Sequence, residues 1–205
     1  MATTIYFIRH GSCEGMDVRL NGRRAGVELT PAGREQAQAL VHQFHHIELE
    51  AIYTSPRERT RSTSEPLSRH TGLPVRELME FDEINFGEWT GCTFDSLHGL
   101  PEWKQFNSRR SQCRIPGGEG YDDLRTRIQS GLEMLKNAHP HGRIAVFTHA
   151  DVIRTAVMTL LGAPPDRLLQ LEISPGSVTI FQLHDPLPRL LGLNITPPPL
   201  TSLRL

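Results

Sequence analysis

An imidazole and a guanidinium stand side by side in Arg9-His10-Gly11, directly after the short apolar run Thr3-Thr4-Ile5-Tyr6-Phe7-Ile8. The run reads as a buried strand, so the histidine falls at a strand's carboxyl end, the rim where open α/β sheets form their ligand crevices. Gly11 lets the backbone turn sharply and come close to a ligand. A histidine beside an arginine suits chemistry on an anion. Alone, the tripeptide is equally well a strand-to-loop turn with a surface histidine, and what decides is its company at the same rim.

Two further segments supply that company. Ala51-Ile52-Tyr53-Thr54 reads as a second strand, followed by Ser55-Pro56-Arg57-Glu58 in the form of a capping box, with Ser55 as cap, Pro56 at the first helical position and Glu58 reaching back. A helix starting there offers free backbone N–H groups to an anion, with Arg59 one turn in. A third strand, Ile144-Ala145-Val146-Phe147-Thr148, ends at His149 and runs straight into an amphipathic helix marked by Ile153, Ala156, Val157, Leu160 and Leu161 and closed by Gly162 and Pro164. Three strand ends thus deliver two histidines and two arginines.

With these residues and an acidic segment further on, the chain resembles the histidine phosphatase superfamily, with its phosphoglycerate mutase-like fold, over most of its length. The family's Arg-His-Gly corresponds to Arg9-His10-Gly11, and its Ser-x-x-x-Arg to Ser55 through Arg59. Its Glu-x-x-Phe-Gly-x-Trp-x-Gly corresponds to Glu83-Ile84-Asn85-Phe86-Gly87-Glu88-Trp89-Thr90-Gly91, and its second histidine motif to Thr148-His149-Ala150, where Ala150 replaces the commonest glycine. The resemblance implies an α/β fold, a three-layer α/β/α sandwich whose mostly parallel central sheet has helices on both faces. It also implies a single domain over residues 1–195, a phosphoryl acceptor at His10, a proton donor at Glu83, and a structural ion pair between Glu119 and Arg127. No cofactor and no metal are called for.

The residue types fit that chemistry. A neutral imidazole nitrogen is a competent nucleophile toward phosphorus, and a covalent intermediate splits a hard displacement into two easier ones. Arg9 and Arg59 can grip the phosphoryl oxygens with paired hydrogen bonds, and His149 is expected to add a donor and positive charge. Such a pocket stabilises the charge spread over the transferring group, as metal ions do in many other phosphoryl-transfer enzymes. A leaving alkoxide needs a proton, which Glu83 would give before deprotonating the water that releases phosphate. Composition does not single out Glu83 from Glu80, Asp82 and Glu88, which read as solvated loop carboxylates. Only its register in the Phe86-Gly87-x-Trp89 motif does so. Arg57 and Arg61 read as surface or rim residues flanking Arg59.

The leaving group is expected to meet Arg19 through Val27, with Asn21, Gly22 and Arg23 in contact with substrate beside Ala150. Residues 84–120, rich in glycine and aromatic residues, read as an irregular excursion covering the site. The basic residues of the first segment suit a substrate with a second anionic group, or simply a solvated loop.

The elements that must position these groups are legible by period. Thr30-Pro31 opens a helix with Ala37, Leu40, Val41 and Phe44 on one face, and Leu124, Ile128, Leu132 and Leu135 stripe another. Val178–Leu183 and Leu190–Ile195 read as terminal strands joined by a turn around His184-Asp185-Pro186, and residues 196–205 as a Pro-rich tail that cannot continue a ladder. The chain has 205 residues, 38% hydrophobic and 22% charged, with 22 basic against 23 acidic residues. That suits one α/β domain and leaves no electrostatic footprint for nucleic acid or an anionic membrane. Three cysteines without metal spacing fit reduced thiols in a cytoplasmic enzyme, and no apolar run approaches membrane length. His42 and His46, four apart with His45 between, could hold zinc but lack a third ligand; His139 and His141 read as loop residues.

The expected function is therefore metal-independent hydrolysis of a small phosphorylated metabolite, with a homodimer as an open assembly. The overall look is similar to broad-specificity phosphatases and to α-ribazole phosphatases. Two alternatives stand beside it. A phosphoglycerate mutase would return the phosphoryl group, but here only 65 residues separate Glu83 from His149, and Met16 stands where such mutases usually carry asparagine. A binding protein with a dead site is disfavoured by the intact set Arg9, His10, Arg59, Glu83 and His149.

Overall fold

The computed structural model describes residues 2–184 and 186–196. Strands β1 (Thr3–Arg9), β2 (Ala51–Thr54), β3 (Val75–Glu77), β4 (Arg143–Thr148), β5 (Val178–Leu183) and β6 (Arg189–Ile195) form one sheet in the order β3-β2-β4-β1-β5-β6. The first four are mutually parallel, β5 joins β1 antiparallel, and β6 joins β5 antiparallel. Six α-helices accompany them among the described residues: α1 (Pro31–Phe44), α2 (Glu58–Thr71), α3 (Phe94–His98), α4 (Pro101–Ser108), α5 (Tyr121–Ala138) and α6 (Ala150–Leu161).

Because side chains alternate along a strand, the sheet buries two different sets. Tyr6, Ile8, Ile52, Ala145 and Phe147 meet Leu40 and Phe44 of α1 and Leu67 of α2. Ile5, Phe7, Tyr53, Ile144 and Val146 meet Leu124 and Ile128 of α5 and Ile153 and Val157 of α6 on the other face. The result is the three-layer α/β/α arrangement. Both faces of β1 and β4 are covered, which is why they read as continuous apolar runs. Each fully buried Phe or Ile contributes about 1.5–3 kcal/mol, so the centre of the sheet is a stiff platform for the loops at its rim.

Register then decides where the chemistry falls. Arg9 lies opposite Thr148 and Thr54 opposite Phe147, so the next residues, His10, His149 and Ser55, emerge together at one rim. Thr30 caps α1 by accepting from the Gly33 N–H at 3.1 Å, with Pro31 in the first turn, as expected. Gly162, left-handed at φ 62°, ends α6. Leu161, expected on that helix's apolar face, is 48% exposed, while in this last turn Met158 is buried and Leu160 is partly buried against the core.

Other expectations change. Residues 84–120 are not irregular throughout: they carry α3 and α4, organised around Trp89, Trp103 and Phe106, whose rings lie 5.4–5.9 Å apart. His139 is a loop residue, as expected, but not an exposed one. It is buried at the opposite rim, its ring nitrogens 2.6 Å from Glu50 and 2.9 Å from the Tyr53 hydroxyl. His45 packs on His46 and His70, and among the described residues no group of three or more His, Cys, Asp or Glu could hold a metal. Asp185 and residues 197–205, hence most of the expected tail, lie outside the described residues. Among the described residues no helix is long and apolar enough to cross a membrane.

Candidate active site

His10 leaves β1 into a bend tied down from two sides. The Gly11 N–H donates to Thr63 Oγ1 of α2 at 3.0 Å, and a Cβ on Gly11 would stand 2.5 Å from the Gly33 carbonyl oxygen of α1, so only glycine fits. His10 Nδ1 lies 2.8 Å from the Gly11 carbonyl. A carbonyl only accepts, so Nδ1 carries the proton and Nε2 is left with its lone pair. Burial first, then Arg59 and Arg9, hold the imidazole pKa well below its usual value. His10 is a neutral, oriented nitrogen base.

Two guanidinium groups line the same cavity. Arg9 donates through Nη1 to the Ile173 carbonyl, and its Nη2 lies 3.5 Å from Met16 Sδ. Arg59 is 1% exposed, and its Nη2 donates to the Gly22 carbonyl at 2.8 Å and to His149 Nδ1 at 3.0 Å. Arg9 Nε, Arg59 Nε and Arg59 Nη1 are buried yet have no hydrogen-bond partner. Buried donors left unpaired cost about 1–3 kcal/mol each, more when charged. Three of them beside a neutral imidazole constitute a site prepared for oxygen atoms of an anion.

The second histidine differs from expectation. His149 is wholly buried; its Nδ1 faces Arg59, which only donates, so Nε2 carries the proton and donates to Ser55 Oγ at 2.8 Å. The Ser55 hydroxyl in turn donates to Asp82 Oδ1 at 3.0 Å. Burial, with Arg59 next, pushes the His149 pKa well below its usual value, so the positive charge expected there is absent. His149 instead orients Arg59, and its ring centroid lies 5.2 Å from that of His10.

That relay also overturns the capping box. Ser55 spends its hydroxyl on Asp82 and His149, and α2 begins only at Glu58, with Arg57 as an N-cap that makes no side-chain bond to the helix. Glu58 reaches the Gly26 N–H rather than Ser55. Arg59 therefore sits at the second helical residue and not a turn in. Arg57 and Arg61 lie at the rim as expected, but Arg57 is half-buried and grips Asp82 with two bonds of 2.8 and 2.7 Å, while exposed Arg61 pairs with Glu77.

Glu83 is clamped through its backbone. Its N–H donates to Asp82 Oδ1, and its carbonyl accepts from Arg23 Nε at 2.7 Å and Arg127 Nη2 at 3.1 Å. Arg127 pairs with Glu119 at 2.9 Å, which also accepts from the Asn85 N–H. Upstream, Thr148 Oγ1 holds the Phe81 carbonyl at 2.6 Å, tying the segment to β4. The carboxyl lies 3.6 Å from His149 Nδ1 and 4.0 Å from Arg59 Nη2. Burial first, then Asp151, raises its pKa to about 7 in spite of Arg59. A carboxyl group there can both give and take a proton near neutrality.

Of the residues expected to touch substrate, Asn21, Gly22 and Ala150 line the cavity with Arg9, His10, Arg59 and Glu83. Arg23 does not: its guanidinium is turned to the Glu83 carbonyl and to Glu119, 3.1 Å away, and so it positions the acid rather than the substrate. The cavity, about 240 Å³, is also lined by Phe94, Trp103 and Arg110 of the segment expected to cover the site, and by Asp151 and Arg154, which were not anticipated. Asp82, read as solvated, is fully buried and is the hub joining Ser55, Arg57 and the Glu83 backbone. Its signal was present only as adjacency to Glu83.

Comparison with known proteins agrees with this geometry. Residues 5–196 match the Histidine phosphatase superfamily (branch 1), and the chain belongs to that family. It is 30% identical to phosphoglycerate mutase-like protein 4 of Arabidopsis thaliana, over 88% of this chain and 80% of that protein. It is 24% identical to the adenosylcobalamin/alpha-ribazole phosphatase of Escherichia coli, over 93% of this chain and 95% of that one. Among solved structures, Bacillus stearothermophilus YhfR superposes with a TM-score of 0.89 at 25% identity, covering 95% of this chain and 98% of that chain.

Proposed function

From its membership in the histidine phosphatase superfamily, we propose that the chain is a phosphatase that hydrolyses a small phosphate monoester through a phosphohistidine on His10, without a metal ion. The observation that carries the reading is the state of His10: Nδ1 bonded to the Gly11 carbonyl and Nε2 free, in a cavity shared with buried, unpaired donors of Arg9 and Arg59. Substrate oxygens complete those donors, and His10 Nε2 attacks phosphorus while Glu83 protonates the departing alkoxide. The ionised Glu83 then takes a proton from water, which attacks the phosphohistidine and frees inorganic phosphate and neutral His10. Guanidinium donors held in the cavity supply the charge stabilisation.

Relatives named as phosphatases support hydrolysis, and relatives named for phosphoglycerate mutase keep phosphoryl return as the second reading. The test is release of phosphate from p-nitrophenyl phosphate and from small alkyl phosphates in excess chelator. Turnover should persist with EDTA and fall by at least about 10³-fold in His10→Ala. Activity that vanishes with EDTA and returns with a divalent metal would contradict the reading.

A further inference from the structure

We propose that Asn21 is a catalytic residue of the second half-reaction: its amide oxygen accepts one O–H of the water that attacks the phosphohistidine while Glu83 takes the other proton, and this pair of acceptors directs the phosphoryl group to water rather than back to an alcohol. The inference rests on the phosphatase reading and adds to it the choice of acceptor.

The Asn21 amide has one orientation. Its Nδ2 lies 2.8 Å from the Glu14 carbonyl and 3.8 Å from Cys13 Sγ. A carbonyl only accepts, so the atom that faces Glu14 is the nitrogen and Oδ1 is turned away from it. Asn21 is 8% exposed and lines the cavity shared by His10 and Glu83, and its Oδ1 is buried without a hydrogen-bond partner. The residues on either side hold it in place. The Leu20 N–H donates to the Cys92 carbonyl at 2.9 Å and the Leu20 carbonyl accepts from the Gly91 N–H at 2.7 Å, while the Gly22 carbonyl accepts from Arg59 Nη2 at 2.8 Å. A buried acceptor that is fixed and unpaired is a place kept for a donor.

The phosphoryl group cannot be that donor, because the oxygens of its dianion only accept. The unpaired nitrogens of Arg9 and Arg59 are not bonded to Oδ1 either, and substrate oxygens complete them. The donor therefore arrives with the second reactant. Water has two O–H bonds and an alcohol has one. As the water oxygen bonds to phosphorus and the P–N bond to His10 breaks, one water proton passes to the Glu83 carboxylate. The other O–H, bonded to Asn21 Oδ1, leaves as the hydroxyl of inorganic phosphate. An alcohol in the same position carries carbon where the second O–H would be and leaves Oδ1 buried and unpaired, the kind of mismatch by which a hydrogen-bonding site rejects an analogue most strongly.

The test is partition of the phosphoryl group between water and glycerol at molar concentration, with p-nitrophenyl phosphate as donor. The ratio of glycerol phosphate to inorganic phosphate is taken within one variant, so it cancels any general loss of activity or folded fraction. In the wild type inorganic phosphate should predominate. In Asn21→Leu the ratio should rise about tenfold or more, with quenched-flow traces showing slower loss of phosphohistidine but its formation within about threefold of wild type. Asn21→Ala carries the same expectation and replaces it where leucine prevents folding. An unchanged ratio, or equal slowing of both steps, would overturn the role of Asn21 and leave the phosphatase reading standing. A wild type that forms no phosphohistidine would overturn both.

Discussion

In the proposed mechanism Glu83 gives a proton in one half-reaction and takes one in the next, and a pKa of about 7 serves both. In the formation of phosphohistidine, Glu83→Gln should slow alkyl phosphates about 10²–10⁴-fold and p-nitrophenyl phosphate far less, because a phenolate leaves without help. Single-turnover measurement separates this step from the later one. Equal losses for both esters would assign the proton elsewhere. The same carboxyl weighs on stability. Its ordinary pKa is 4.5 and burial raises it to about 7, so the fold carries no penalty while the group is protonated in both states. The penalty grows as pH rises from about 4.5 to about 7 and is constant above. Glu83→Gln should therefore stabilise the protein by roughly 2 kcal/mol at about pH 8 and by much less near pH 5, measured by urea denaturation. A gain independent of pH would contradict the buried, protonated carboxyl.

The loops and helix starts at the sheet rim divide into those that present chemistry and those that hold it. Ser55 belongs to the second kind, carrying the hydrogen-bond path from His149 to Asp82. Ser55→Ala leaves both buried partners short of a bond, which costs about 1–3 kcal/mol in unfolding free energy. It should also lower kcat about tenfold through the loosened His149 and Arg59, with Ser55→Thr restoring most of it. An unchanged kcat in a protein that is merely less stable would reduce Ser55 to packing. This was the element hardest to read from sequence. Ser-Pro-Arg-Glu carries every local mark of a capping box, and the hydroxyl is claimed instead by Asp82 and His149, 27 and 94 residues away. Asp82 reads as solvated for the same reason, since a carboxylate becomes buried through partners that no local spacing announces. By contrast, β1, β2, β4, α1, α5 and α6 were legible because alternation and helical stripes are local consequences of facing a core.

At the scale of the whole molecule, parallel strands with both faces covered do most of the positioning: His10, Ser55 and His149 leave adjacent strands at matched register, and Asp82 and Glu83 come after β3 at the same rim. The candidate catalytic set is readable because each member lies at or just after a strand end or belongs to a compact motif. The distal wall of Arg110, Asp151 and Arg154 was not, since it forms only where the turn after α4 closes over α6. All of this converges on one atom, Nε2 of His10, and the most direct test is to trap what it carries. Rapid alkaline quenching of the wild type with a ³²P-labelled monoester should give a protein-bound label that is acid-labile and base-stable and that maps to the peptide containing His10. None should form in His10→Ala. An acid-stable label, a label on another residue, or label persisting in His10→Ala would contradict the account.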